Sequence, residues 1–99
     1  MSALTENLTA VVALRPHAVA RVTNAGLTML FDRAKGVMYE LNESASTVVR
    51  LLAQEPRSLQ DIIDALCSEF DGPQEEIAAD IQAFIEEFAT AGLLTVDAP

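Results

Sequence analysis

The chain has 99 residues, of which 51% are hydrophobic and 21% charged, which suits one small domain with a core of its own. Its single cysteine and single histidine exclude an internal disulfide and a Cys/His metal cluster, and neither a metal nor a cofactor is expected. The formal net charge of −9 is carried by residues 42–99, with twelve acidic and two basic side chains.

The beginning of the chain predicts an arm followed by strand. Residues 1–10 show no clear period and are expected to be a flexible arm, which leaves residues 11–96 as a single domain. From 11 to 22 the pattern is that of a strand interrupted by Pro16. Because proline cannot donate to a ladder, this stretch is expected to be an edge strand or two short pieces.

A hairpin is predicted next. Strand-like segments at 27–32 and 37–41 flank a compact loop in which Gly36 can adopt a positive φ. Alternation along the return strand puts Val37, Tyr39 and Leu41 on one face and Met38 and Glu40 on the other. The first part of the chain is therefore expected to form a small antiparallel sheet of two or three strands.

Three helices are predicted after the hairpin. Asn42 is a suitable N-cap for the first, which stops before Pro56, and Ser58 caps the second. The third begins near Pro73 and ends at Gly92, and the two leucines after it are expected to pack back as a short tail. Its apolar stripe consists of Ile77, Ile81, Phe84, Ile85 and Phe88. Strands followed by helices indicate an α+β domain, and this order also describes a winged helix.

The side chains that could act in catalysis are not placed together by the sequence pattern. Ser44 and Ser46 lie near the strand end, but the only histidine, His17, is distant in sequence and beside a proline. There is no glycine-rich phosphate loop, and Cys67 is interpreted as a packed helix residue. We therefore expect a protein that is not an enzyme.

Other binding functions fit less well. A carrier protein would typically have Asp-Ser-Leu at a helix start, where this chain has Glu43-Ser44-Ala45. A DNA-binding winged helix needs cations, and the segments 59–70 and 74–92 contain no Lys or Arg. No apolar run reaches membrane-spanning length and no signal-peptide pattern precedes the domain. A cytoplasmic protein without nucleic-acid or membrane partners is expected, and the acidic surface suits either solubility alone or attraction of a basic peptide.

Three ordered segments carry a resemblance to a known family. They are "YELNESASTVVRLL", "SLQDIIDALCSEFDGP" and "EEIAADIQAFIEEFATAGLL", within residues 17–96. Together they resemble the PqqD-like family, the peptide-recognition elements of ribosomal peptide natural-product pathways. The matching features are a strand ending in Leu41-Asn42 before a small-residue helix start, Asp80-Ile81 and Phe84 on the third helix, and the closing Gly92-Leu93.

Within that family the hairpin "LFDRAKGVMYELN" resembles the stand-alone domains of lasso-peptide clusters, which bind a precursor leader and work with a leader peptidase and a ring-closing enzyme. PqqD itself typically has Cys-Asp-Gly after the first helix, where this chain has Ala53-Gln54-Glu55. The alternative is a PqqD-type chaperone that delivers a precursor peptide to a radical-SAM enzyme.

The resemblance implies a winged-helix-like fold, a three-stranded antiparallel sheet followed by three α-helices. It also implies that a leader segment adds as a strand to the edge at 37–41 and is presented to a leader peptidase or other maturation enzyme. The acidic charge of residues 42–99 predicts that this leader carries basic residues. A homodimer formed by domain swapping of the early hairpin is an alternative to a monomer.

The expected peptide-binding residues are Val37, Met38, Tyr39, Glu40, Leu41, Asp80, Ala83, Phe84 and Glu87. Phe84 is the expected floor of the groove, and Asp80 and Glu87 are the expected partners of leader cations. Plain core packing is the alternative for Phe84, and a solvated position is the alternative for the two carboxylates. A proline at Tyr39 is expected to abolish binding if its N–H faces the guest, although a one-residue slip would invert every such assignment.

Overall fold

A computed structural model describes residues 8–97 of the chain. In that range it contains six strands: β1 (Val11–Leu14), β2 (Ala18–Val22), β3 (Thr28–Asp32), β4 (Val37–Glu40), β5 (Arg57–Ser58) and β6 (Leu94–Asp97). The three helices of that range are α1 (Glu43–Gln54), α2 (Leu59–Glu69) and α3 (Gln74–Thr90). The α+β, winged-helix-like class expected from the sequence is confirmed.

The strands form two small antiparallel sheets. The hairpin β3–β4 joins β2 in a sheet of order β2-β3-β4, and β1 lies between β5 and β6 in a second sheet. The stretch broken by Pro16 is thus two short strands, as one of the two expectations had it. The two pieces belong to different sheets, because a turn closed by Ala18 N–H donating to Arg15 O (3.0 Å) redirects the chain.

Local signals at the hairpin and at the helix starts are realised as expected. Gly36 has φ 69° and its N–H donates to Asp32 O at 2.8 Å. The Asn42 side-chain oxygen accepts from Ala45 N–H at 2.8 Å, and Ser58 Oγ accepts from Asp61 N–H at 3.1 Å. Each cap satisfies a helix N–H that has no partner inside the helix.

The segment after α3 is more ordered than a packed tail. Gly92 ends the helix with φ 85°, and Leu93 N–H donates to Phe88 O at 2.9 Å. Leu93 and Leu94 are 0% and 2% exposed, and β6 pairs with β1 along its whole length. The tail is therefore a strand of the second sheet.

The core lies between the inner face of the β2-β3-β4 sheet and the helices. On β3, the alternate residues Thr28, Leu30 and Asp32 are fully buried. The helices contribute the buried residues Val48, Val49, Leu52, Leu59, Ile62, Ile63, Leu66, Ile81, Ile85 and Phe88. None of the helices among residues 8–97 combines the length and the apolar character needed to cross a bilayer.

Most of the expected N-terminal arm, residues 1–7, lies outside the described residues. Its last part is hydrogen-bonded to the start of α2: Leu8 O accepts from Gln60 N–H at 2.9 Å and Ala10 O from Leu59 N–H at 2.8 Å. Ala10 is only 1% exposed.

Candidate functional site

The strand β4 is the outermost strand of its sheet. Within the described residues it pairs with β3 only, in the register Met29↔Glu40, Leu30↔Tyr39, Phe31↔Met38 and Asp32↔Val37. Its outer edge therefore carries main-chain N–H and C=O groups that point away from the sheet, as the family resemblance implies for this strand.

The hydrogen-bond phase decides which amides lie on that outer edge. Leu41 N–H donates to Thr28 O, the residue directly opposite in this register, at 3.2 Å. Because antiparallel pairs alternate between bonded and non-bonded, Tyr39 also bonds toward β3, and Met38 and Glu40 present their N–H and C=O groups outward. The Tyr39 N–H therefore faces β3, so the condition attached to the proline prediction at Tyr39 is not met, and the outward N–H groups of β4 belong to Met38 and Glu40.

A groove runs between β4 and α3. Its first part has a volume of about 370 Å³. The residues lining it are Met38, Tyr39, Glu40, Leu41, Asn42, Ala45, Phe84, Glu87 and Phe88. Strand edge and helix wall therefore meet in one concave surface.

Three packed aromatic rings line the groove, one from β4 and two from α3. The Tyr39 and Phe88 ring centroids are 5.1 Å apart with a 60° tilt, and those of Phe84 and Phe88 are 4.5 Å apart with a 36° tilt. Phe88 is only 5% exposed, whereas Phe84 and Tyr39 are half-buried. Phe88 thus supports the surface from the core, and Phe84 is open to the groove on one side.

A second concavity continues the groove toward the start of α1. It has a volume of about 250 Å³ and shares Asn42, Ala45 and Phe84 with the first part. Its remaining lining residues are Ser44, Val48, Asp80, Ile81 and Ala83. We call the two parts together the β4–α3 groove.

The side chains on the rim of the β4–α3 groove are mostly acidic. Glu40, Asp80 and Glu87 are exposed and lie on its two walls. The cation nearest its other end is Lys35, whose Nζ donates to Ala91 O at 3.2 Å, one turn beyond Phe88. An apolar floor with an acidic rim can hold an extended segment that carries apolar and basic side chains.

Eight of the nine residues expected to bind peptide line the β4–α3 groove, and Val37 does not. Their contact with a peptide stays a prediction. The sequence analysis did not place Asn42, Ser44, Ala45, Val48, Ile81 and Phe88 there. Asn42 and Ala45 could have been found from the sequence, because an N-cap and a small residue at a helix start leave room beside the preceding strand.

The outer face of the same sheet is also partly apolar. Val19, Phe31 and Met38 lie opposite one another across the three strands. Val19 and Phe31 are half-buried, and Met38 is 52% exposed. Met38 therefore borders both this outer row and the β4–α3 groove.

The fold and the groove define the class of the protein: a small winged-helix-like α+β domain with an open strand beside its last helix. The chain belongs to the family of coenzyme PQQ synthesis protein D (PqqD), whose model matches residues 28–94. No curated protein sequence matches the chain.

Two similar solved structures have the same fold. One is described as TbiB1 in complex with the TbiA(beta) leader peptide, with a TM-score of 0.74, 21% identity, and coverage of 83% of this chain and 93% of that one. The other is described as lasso peptide synthetase B1 complexed with the leader peptide, with a TM-score of 0.70, 28% identity, and coverage of 85% and 96%. The first likeness, at 21% identity, establishes the fold alone.

Proposed function

We propose that this protein binds the leader segment of a ribosomally made precursor peptide and presents it to a maturation enzyme, without catalysing a reaction itself. We place it in the cytoplasm, where ribosomes make such precursors. The observation that carries the proposal is the outward-facing main chain of Met38 and Glu40 on the edge of a sheet, directly beside the β4–α3 groove.

Strand addition uses both features. A guest segment next to β4 exchanges main-chain hydrogen bonds with Met38 and Glu40, which gives affinity that depends little on sequence. Alternate guest side chains point into the groove, because successive residues of a strand face opposite sides. The inward side chains meet Tyr39, Phe84 and Leu41, so these three residues select among leaders.

The charge of the groove favours a leader with basic residues. Glu40, Glu87 and Asp80 are exposed on the rim, and the chain carries a net charge of −9. Such a field raises the rate at which a basic segment encounters the site and contributes modestly to its affinity.

The partner that receives the leader is a leader peptidase or another maturation enzyme of lasso-peptide biosynthesis. The similar solved structure at 28% identity is described as lasso peptide synthetase B1 complexed with the leader peptide, which supports this pathway. The outer sheet face with Phe31 and Met38 supports a second partner, because an added leader strand would extend that face. A larger apolar patch of this kind is typical of interaction surfaces.

A second candidate function is a PqqD-type chaperone that delivers a precursor peptide to a radical-SAM enzyme. The match of residues 28–94 to the PqqD family model favours it. The site and the binding mode are the same in both cases, so the identity of the precursor that binds separates them.

Fluorescence polarisation with a labelled leader from the precursor encoded beside this gene tests the proposal. Saturable binding below tens of micromolar is expected, and its absence would overturn the proposal. Titration followed by amide NMR locates the strand: the N–H signals of Met38 and Glu40 should shift and become protected from exchange. Unchanged signals at both residues in a saturated complex would mean that the leader binds elsewhere.

A further inference from the structure

The charge at the β4–α3 groove changes sign between the acidic side chains that line it and the cations that lie just beyond its Lys35 end. The contacts show how β4 and α3 run past each other. The Asn42 end of β4 lies against Asp80 and Phe84, and the middle of β4 lies against Phe84 and Phe88. Lys35, which precedes β4, contacts Ala91. α3 therefore runs antiparallel to β4, from an acidic end to a basic end.

The basic end is built by three exposed cations around the C-terminus of α3. The Lys35 side chain donates from Nζ to Ala91 O at 3.2 Å, whereas Arg33 and Arg15 are placed there by their backbone N–H groups, which donate to His17 O at 2.9 Å and to Leu93 O at 3.0 Å. These bonds hold the β3–β4 loop and the β1–β2 turn next to the last turn of α3.

One carboxylate also lies at the basic end. Asp32 is fully buried, and one of its oxygens accepts from Ala34 N–H at 2.9 Å and from Lys35 N–H at 3.1 Å. That oxygen faces the loop backbone and the other is buried, whereas the side chains of Arg15, Arg33 and Lys35 are exposed. The surface at this end is therefore positive.

The side chains that line the groove itself carry the opposite charge. Glu40 and Glu87 are exposed in its middle part and Asp80 at its far end. Asn42 and Ser44, the polar neighbours of Asp80 in the second part, are uncharged. No cation lines either part of the groove among the described residues.

We propose that the groove reads the order of charges in its guest: basic residues of the bound segment lie over Glu40, Glu87 and Asp80, and an acidic residue lies at the Lys35 end. This rests on the proposed function. Main-chain bonds alone would allow the guest to slip by two residues and to reverse its direction. A slipped or reversed guest would place like charges next to each other, so the order of charges disfavours both arrangements. Lys35 and Asp80 therefore determine the register and the direction of the guest.

The two ends set a spacing that the guest must match. From Asp80 to Ala91 the helix extends about 16 Å at ~1.5 Å per residue. From Lys35 to Asn42 the chain extends about 23 Å at ~3.3 Å per residue. An extended guest covers these lengths with about five to seven residues, which is the separation expected between its acidic residue and its outermost basic residue.

Charge reversal at each end, followed by rescue in the peptide, tests the proposal. The probe is the labelled leader described above, at about 50 mM salt, where the screening length exceeds 10 Å. Lys35→Glu and Asp80→Lys should each weaken binding by about 3- to 10-fold, the range of an exposed pair turned into a repulsion. Reversing one acidic leader residue should rescue Lys35→Glu, and reversing a basic one about five to seven positions away should rescue Asp80→Lys.

A matched variant and the rescue positions distinguish the outcomes. Arg21→Glu removes an exposed cation from β2, at the opposite edge of the sheet, and should leave the affinity within about 2-fold. Circular dichroism checks that all variants are folded. If the unaltered protein does not bind the leader, the proposed function fails. If it binds but Lys35→Glu behaves like Arg21→Glu, or if one leader position rescues both ends, the charge order alone is overturned.

Discussion

The sheet β2-β3-β4 has two edges of the same kind with very different surroundings. On β2, the bond from Thr23 N–H to Leu27 O at 2.7 Å fixes the ladder phase, so that Ala20 and Val22 direct their amides outward. On β4 the outward amides belong to Met38 and Glu40. Both edges offer the same main-chain groups to a guest strand.

What differs is the surface next to each edge. Beside β4, an aromatic wall and an acidic rim form a groove of about 370 Å³ with a further 250 Å³ beyond it. Beside β2, the inward residue Ala20 is small and Val22 is 65% exposed at the strand end. An open edge gives affinity for any strand, and an adjoining groove is needed to choose among strands. Substitutions at the two edges and in the groove test this difference.

The largest effect is expected from Phe88→Ala. Phe88 is 5% exposed and supports both Tyr39 and Phe84, so its removal leaves a cavity under the groove. A buried Phe→Ala change typically costs about 3–5 kcal/mol in the free energy of unfolding. Urea unfolding followed by circular dichroism measures it.

Phe31→Ala is the matched control for that change, because Phe31 is half-buried on the outer sheet face. It should cost less than half as much. If both variants lost the same free energy of unfolding, the wall of the groove would be no better supported by the core than the outer sheet face. That result would contradict the role of Phe88 as the support of Tyr39 and Phe84.

The next effect is expected from Glu40→Pro. Proline removes an outward N–H and leaves the β3–β4 bonds in place, and edge strands tolerate it there. A guest carbonyl left without a donor costs about 1–3 kcal/mol, so leader affinity should fall by about 5- to 150-fold. Fluorescence polarisation measures the loss, and Glu40→Gln separates it from the loss of charge.

Val22→Pro gives the same change on the other edge. It should leave leader affinity unchanged, since no residue of β2 lines the β4–α3 groove. A loss as large as that of Glu40→Pro would place the guest on β2. Tyr39→Pro differs from both, because it removes a bond to β3 and should lower the melting temperature of the protein itself.

A smaller effect on binding is expected from Phe84→Ala. Phe84 is half-buried and lines both parts of the groove. Loss of a central aromatic contact should reduce leader affinity by about 5- to 30-fold, corresponding to ~1–2 kcal/mol. Phe70→Ala, a half-buried ring outside the groove, should lower the stability and keep the affinity. If the stability loss in Phe84→Ala matched that of Phe88→Ala with unchanged binding, Phe84 would be a core residue only.

The helices were predictable because their signals are local. Asn42 and Ser58 form the expected caps, and the third helix ends at Gly92 as expected. The ladder phase was not predictable, because it depends on one distant bond, Leu41 N–H to Thr28 O. The second sheet was missed for the same reason: β6 becomes a strand only by pairing with β1, which lies at the other end of the chain.

The parts of the candidate site that follow from helical or strand periodicity were predictable from the sequence. Phe84 and Glu87 follow from the helical period, and Met38 and Tyr39 from the strand. The contribution of Ala45 depends on how α1 packs against α3, which no local pattern encodes.

The smallest effect is expected from Glu87→Lys. Glu87 is exposed on the rim of the groove, so its interaction with a leader cation is worth about 0–1 kcal/mol, or up to ~5-fold in affinity. The loss should be largest at low salt and should vanish near 1 M, where the screening length falls to about 3 Å. Glu69→Lys changes the net charge equally on an exposed α2 position outside the groove and should produce a smaller salt-dependent loss. Equal losses in the two variants would assign the electrostatic attraction to the charge of the whole protein, and the rim of the groove would then contribute to affinity only through its shape and its apolar floor.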